Sequence, residues 1–227
     1  MINLQNILQS PVENDPWPYK IVDDILDKEV YFKILKSSEK LVKSAAYEKR
    51  DPNGLWMYKA KEYGIDQDII DLIMEINLFL LKNSDKVLKD FPHAMKSKIG
   101  YFSIPRFNYL GPQVTGTIHD EGDSKTMALV IYLMPEESIG THLYRSVSID
   151  SYYKTIEWKP NRGFLMISQP GVTYHSFQSL ESHRLTLNFY YEKFEKVDAF
   201  RSYPIEKQNW FWEEFSRGRN AIINENV

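Results

Sequence analysis

The chain has 227 residues, 43% apolar and 26% charged, with a formal net charge of −3, a balance that suits one well-cored globular domain. It contains no cysteine, which excludes disulfides, thiolate metal sites and cysteine nucleophiles; any metal must be held by His, Asp or Glu. No basic run marks a nucleic-acid footprint, residues 1–6 lack the character of a signal peptide, and no stretch reaches membrane-span length, so the expected location is the cytoplasm, without nucleic acid or membrane as partner.

Residues 10–18 carry three prolines and read as an extended lead-in. Residues 19–26 have the β-branched and apolar character of a short strand. Asp27 is placed to cap a helix reaching about Ala46, whose residues Val30, Ile34, Leu41 and Ala45 fall on one face. Asp51-Pro52-Asn53-Gly54 is a turn signal. A second helix is predicted from Asp66, with Ile69, Ile73, Ile76 and Leu80 at helical spacing. Ile70, Leu72, Leu78, Phe79 and Leu81 widen its stripe so far that it must lie buried against a sheet. A short third helix over 83–91 is stopped by Pro92.

From Lys98 the pattern changes to strands, predicted at 99–104, 107–110, 127–133, 140–145, 152–157, 164–168, 173–177 and 184–191. Many short strands behind helices define the expected fold class: α+β, mainly β with N-terminal helices, built on a double-sheet jelly roll. The expected organisation is a single domain over 1–227. Residues of about 16–95 give helical support, 96–192 form the jelly-roll core, and 193–227 form a tail packed on that core. The aromatic stretch Trp210-Phe211-Trp212 is read as packing, and the end from Arg217 is expected to fray.

The chemistry-bearing stretch is His119-Asp120-Glu121, just ahead of the 127–133 strand. Side chains at i and i+2 of an extended segment point the same way, so His119 and Glu121 can close on one ion. His175 lies in a later strand and Arg184 nine residues beyond it. In the last strand Arg184, Thr186, Asn188 and Tyr190 share one parity, which makes Asn188 a candidate pocket contact, while His183 faces away. Tyr109, Asn108 and Tyr132 are further candidates for the pocket lining. His142 fits a cavity or a surface position, and His93 has no partner pattern. Taken singly, each of these residues has an ordinary explanation as a surface or core side chain; their order, separation and strand context together point to a site.

Together they resemble the signature of the Fe(II)/2-oxoglutarate-dependent oxygenase superfamily, in its prolyl-hydroxylase-like branch. The first half is His119-Asp120-Glu121 with Lys125 and a strand ending Tyr132-Leu133. The second is Pro160-Asn161-Arg162-Gly163, then Tyr174-His175-Ser176, then Arg184-Leu185-Thr186. Gly140-Thr141 and the opening Pro16-Trp17-Pro18-Tyr19 also match habits of the family, so the resemblance runs from about Pro16 to Tyr191. It implies a double-stranded β-helix (cupin-like) core, with Fe(II) held by His119, Glu121 and His175 as the catalytic centre. It also implies 2-oxoglutarate held by Arg184 with Thr186, dioxygen as co-reactant, and hydroxylation of a C–H bond in an amino-acid side chain or small metabolite.

The commoner family ligand is Asp where this chain has Glu121, and Asp123 stands as the second candidate. A carboxylate at this place argues against halogenation. The second Arg of the nucleic-acid demethylases is replaced here by Tyr190, and the Jumonji-type hydroxylases take their anchoring Lys from a different strand. Two other classes share the expected fold: a cupin-like metalloprotein working without 2-oxoglutarate, as an isomerase or other dioxygenase, and a non-catalytic binding module.

Overall fold

In the computed structural model, which describes residues 1–43, 54–91, 93–94 and 96–223, two antiparallel sheets are flanked by N-terminal helices. The chain enters through α1 (Leu4–Gln9) and β1 (Tyr19–Val22). It continues through α2 (Lys28–Lys43), the two-residue β2 (Leu55–Trp56), α3 (Met57–Ala60), α4 (Gln67–Lys82) and α5 (Ser84–Leu88). The strands β3 (Gly100–Phe102), β4 (Arg106–Leu110), β5 (Lys125–Met134) and β6 (Thr141–Tyr144) follow. After them come β7 (Tyr152–Thr155), β8 (Gly163–Ile167), β9 (His175–Phe177) and β10 (Arg184–Lys193). The chain then forms α6 (Ile205–Ser216) and β11 (Ala221–Ile223). The larger sheet runs β1-β8-β5-β10-β3-β11; β4 pairs with the first half of β10, and β2 with β4. The smaller sheet runs β7-β6-β9.

The larger sheet is buried on both faces, and residue parity sorts the two. Met127, Leu129, Ile131 and Leu133 of β5, with Leu185, Leu187, Phe189 and Tyr191 of β10, join the core made with α2 and α4. The alternate residues Ala128, Val130, Tyr132 and Tyr190 pack with Leu143, Ile156 and Trp158 from the side of the smaller sheet. Burial on both faces is why β5 reads as an unbroken apolar run instead of an alternating one. Two tyrosine hydroxyls tie helices to this sheet: Tyr31 donates to the carbonyl of Leu133 at 2.8 Å, and Tyr191 to that of Leu80 at 2.7 Å.

The predicted helices and strands lie where the periodicity puts them; most have shorter ends, while β4, β5 and β10 run one to three residues longer than predicted. The α2 helix stops at Lys43 among the described residues, so Ala45, Ala46 and the 51–53 part of the expected turn fall outside them, as does Pro92. Asp27, expected to cap α2, pairs its carboxylate with the N-terminal amine at 2.5 Å. Asp66 does stand at the N-cap of α4, but its carboxylate goes to Lys40 at 2.6 Å. The tail corrects one expectation. It does not fray from Arg217: Ala221–Ile223 forms the edge strand β11 against β3, and Phe211 of α6 is fully buried with Trp56, Phe102 and Ile104. Among the described residues no helix is long and apolar enough to cross a membrane.

Candidate metal centre and its cavity

His119 precedes β5 in a loop, and His175 opens β9. Backbone pairing brings them together: the N–H of His119 donates to the carbonyl of His175 at 3.0 Å, and the reverse bond is 2.9 Å. The loop reaches that position by running beside β9, with the N–H of Gly116 on the carbonyl of Phe177 at 2.8 Å. A side chain at 116 would collide with the Phe177 ring, its Cβ 2.5 Å from the nearest ring atom, so glycine permits the close approach. The imidazole rings of His119 and His175 lie 4.4 Å apart, centroid to centroid. Glu121, two residues on, falls on the same side. Ligand atoms of His119, Glu121 and His175 all lie within 4.8 Å of one another.

Each ring is oriented by the backbone two residues before it. His119 Nδ1 lies 2.9 Å from the carbonyl of Thr117, and His175 Nδ1 lies 3.0 Å from that of Thr173. A carbonyl oxygen can only accept, so both Nδ1 atoms carry the proton and both Nε2 atoms are left to ligate. His175 Nε2 stands 3.5 Å from Glu121 Oε1, while Glu121 Oε2 accepts from Lys125. Burial holds the His119 pKa below the usual imidazole value, with His175 adding to it. For Glu121 burial pushes upward, but the Lys125 ammonium and His175 outweigh it and hold the carboxyl well below its ordinary range. The site is therefore a carboxylate and two imidazoles with their lone pairs converging, a donor set of the kind that holds a divalent ion.

Other nearby acids do different work. Asp120 turns its carboxylate to the backbone N–H groups of Gly122 and Gly171, at 2.9 and 2.7 Å, fixing the loop. Asp123 is exposed and pairs with Lys196 at 2.7 Å, outside the cluster.

The three residues open onto a cavity of about 490 Å³. Arg184, Thr186, Asn188 and Tyr190, the even residues of β10, form part of its wall, with Val130, Phe164 and Met166 as apolar lining. Arg184 is 2% exposed and sits among the rings of Trp158, Tyr132 and Phe177, at 5.2, 5.5 and 5.6 Å. No carboxylate lies within ion-pair distance of it among the described residues, its Nε has no hydrogen-bond partner, and burial pulls its pKa down to about 10. Thr186 donates to Asn188 Oδ1 at 2.8 Å, and Asn188 donates to the Tyr190 hydroxyl at 3.0 Å.

Tyr132 stands behind the cavity wall, stacked 4.5 Å from Trp158 and bonded through its hydroxyl to Thr141 Oγ1 at 2.9 Å. Tyr109 is on the opposite face of β4, packed toward the helices with its ring 5.9 Å from that of His183; it does not line the cavity. His142 pairs with Thr155 Oγ1 at 2.7 Å in the smaller sheet, away from the cavity. Four wall residues come from parts of the chain where the sequence carried no site signal: Trp56 of β2, Arg106 of β4, Glu192 at the end of β10 and Tyr203 ahead of α6.

No family model and no curated protein matches the chain. Solved structures do. A prolyl-4-hydroxylase from Pseudomonas putida superposes with a TM-score of 0.52 at 12% identity, over 77% of this chain and 92% of that one. A prolyl 4-hydroxylase from Phytophthora capsici gives 0.56 at 13%, over 89% and 69%. SnoN, a non-haem α-ketoglutarate-dependent epimerase from nogalamycin biosynthesis, gives 0.51 at 12%, over 77% and 76%. The chain thus shares the fold of these enzymes and carries in it a His-Glu-His cluster able to hold a metal ion.

Proposed function

We propose that the chain is a single-domain, mononuclear non-haem iron oxygenase. It couples oxidative decarboxylation of 2-oxoglutarate to hydroxylation of a C–H bond in an amino-acid side chain or small metabolite. On this reading the two facing sheets are the halves of a double-stranded β-helix. Fe(II) is held by His119, Glu121 and His175, and 2-oxoglutarate by Arg184 with Thr186. The donor set fits such an ion, because both Nε2 atoms and the Glu121 carboxylate are kept free of protons by the bonds described above.

The observation that carries the cosubstrate assignment is the Arg184 guanidinium, buried in the cavity wall without a carboxylate partner. An isolated buried cation is costly, and a planar fork of this kind is completed by a carboxylate. A cupin-like metalloprotein that needs no 2-oxoglutarate would require this fork only if its own substrate carried a carboxylate. When bound, the iron and 2-oxoglutarate supply with dioxygen the oxidising power for C–H cleavage. The chain's own groups bind and orient: Arg184 grips the far carboxylate, the rings of Tyr132, Trp158 and Phe177 hold the guanidinium in place, and Val130, Phe164 and Met166 keep water from that side of the cavity.

Anaerobic calorimetry with Mn(II) and then 2-oxoglutarate tests this reading. Sequential saturable binding of both is expected, with the second event lost in Arg184→Gln. Metal uptake without any 2-oxoglutarate affinity overturns the cosubstrate assignment and favours the cupin-like alternative.

A further inference from the structure

The cavity wall contains a second arginine that the cosubstrate cannot use. In the ladder between β4 and β10, Arg184 stands opposite Leu110, Thr186 opposite Asn108, and Asn188 opposite Arg106. Residues directly opposite in an antiparallel pair share a face, so Arg106 and Arg184 both look into the cavity, from opposite ends of the ladder. Four residues of strand separate their positions, roughly 13 Å at the usual rise. A five-carbon diacid held at Arg184 and chelating at the His-Glu-His cluster cannot also reach the far arginine.

Arg106 is built as a receptor. Its guanidinium carbon lies 4.8 Å from the Trp56 ring and 4.4 Å from the Tyr190 ring, and its Nε donates to the Tyr190 hydroxyl at 3.2 Å. These contacts set the guanidinium beside two rings and engage its Nε, so that its terminal nitrogens can meet a ligand. No carboxylate lies within ion-pair distance of Arg106 among the described residues. Two acids, Glu121 and Glu192, contribute charge near it without forming an ion pair with it. Glu121 belongs to the ligand cluster and to Lys125. Glu192 is a partly exposed cavity-wall carboxyl that desolvation pushes toward its neutral form, against Lys125, Arg106 and Lys207. Lys125 and Arg106 also share the Tyr190 ring, at 4.3 and 4.4 Å from its centroid. An anion at Arg106 is therefore only about a ring's breadth from the ion pair that touches the metal cluster.

We propose that Arg106 anchors a carboxylate of the primary substrate, which is a compact organic acid oxidised a few bonds from that carboxylate. The proposal rests on the oxygenase reading above and adds the substrate class. Trp56 and Tyr190 act as positioning residues, fixing the guanidinium plane so that its fork meets the carboxylate without further ordering.

The test uses the full chain loaded with Mn(II), with and without saturating 2-oxoglutarate. The probes are carboxylic acids of three to six carbons, with and without an α-amino or α-hydroxyl group, each paired with its carboxamide; inorganic phosphate is a separate arm. At least one acid is expected to bind tenfold or more tightly than its amide. Arg106→Gln should abolish that preference and leave 2-oxoglutarate affinity unchanged. Arg106→Lys, which keeps charge and stem but not the planar fork, should restore only part of it, and it carries the test if the Gln variant melts early. Acids that bind no better than their amides, an acid preference that survives Arg106→Gln when Arg184 is occupied by 2-oxoglutarate or replaced by Gln, or phosphate bound in preference to every acid would overturn the proposal. The two readings separate cleanly. Absence of 2-oxoglutarate binding in the parent protein counts against the cosubstrate assignment alone, because the acid-over-amide preference is also measured without 2-oxoglutarate in Arg184→Gln, where that arginine cannot read the acid.

Discussion

Glu121 and Lys125 form an ion pair inside the cavity wall, one helical-type spacing apart across the start of β5, with side chains only 8% and 16% exposed. The pair leaves Glu121 Oε1 facing His175 Nε2, so Lys125 sets which carboxylate oxygen is available to a metal. Lys125→Met should weaken Mn(II) binding by about 10- to 100-fold, the usual cost of losing a partner of a metal ligand. It should also lower the melting temperature of the metal-free protein more than that of the metal-loaded one, because the ion then supplies the charge that Glu121 has lost. Calorimetry and melting curves with and without Mn(II) check both effects.

Arg184 predicts an opposition between stability and function. It is a buried cation with no carboxylate partner among the described residues, set among three aromatic rings. Arg184→Met should therefore leave the melting temperature unchanged or raise it. If Arg184 holds 2-oxoglutarate as proposed, the same change would remove two charge-assisted hydrogen bonds to it, on the order of 3 kcal/mol or more, so affinity should fall by at least roughly 100-fold.

Most of this wall was legible in the sequence because β10 alternates strictly: Arg184, Thr186, Asn188 and Tyr190 could be assigned one face from parity alone. The broad stripe of α4 likewise dictated a buried helix, and Ile73, Ile76 and Leu80 are fully buried. The strand β4 was harder. Parity separates Asn108 from Tyr109 but does not say which of them faces the cavity; only the register Thr186 opposite Asn108 turns Asn108 and Arg106 inward and Tyr109 toward the helices. Trp56 and Tyr203 gave no signal at all. Trp56 lies in a strand of two residues, too short for any periodicity, and Tyr203 reaches the cavity because the tail folds back, its ring 6.2 Å from that of Trp56. The docking of that tail depends on β11, a three-residue strand whose partner β3 is far away in sequence.

Gly140 tests whether the two halves of the smaller sheet must approach as closely as they do. A Cβ at this position would lie 1.7 Å from the carbonyl oxygen of Ile156, beside the bond from the Ile156 N–H to the carbonyl of Thr141 at 2.8 Å. Gly140→Ala should force the backbones apart and destabilise the protein by about 1–3 kcal/mol, the range for overpacking. It should also disturb Thr141, whose hydroxyl meets Tyr132 beside Arg184, so 2-oxoglutarate affinity should fall with stability. Urea titration and calorimetry report the two losses.

Acid should weaken the junction between β1 and the turn leading into β8. Asp23 accepts from Arg162 at 2.6 and 3.2 Å and from Lys159 at 2.9 Å. The Arg162 bond, with Lys159 adding to it, outweighs burial and lowers its pKa below the ordinary aspartate value. A carboxyl with a depressed folded-state pKa adds stability that is fully present above its unfolded pKa and is lost as pH falls through the folded one. Asp23→Asn should therefore lower the melting temperature at pH 7, and the gap to the parent should close as pH falls from about 5 toward 3. A constant gap across that window would mean that the charge of Asp23 contributes nothing.

On the proposed reading, iron at His119, Glu121 and His175 and 2-oxoglutarate at Arg184 would occupy one cavity together. Direct chelation of the two would give a visible metal-to-ligand charge-transfer band when Fe(II) and 2-oxoglutarate are added without oxygen. The band is expected in the parent protein, absent in His175→Ala and greatly weakened in Arg184→Gln. Fe(II) bound to the parent protein with no band on saturation with 2-oxoglutarate would contradict the claim.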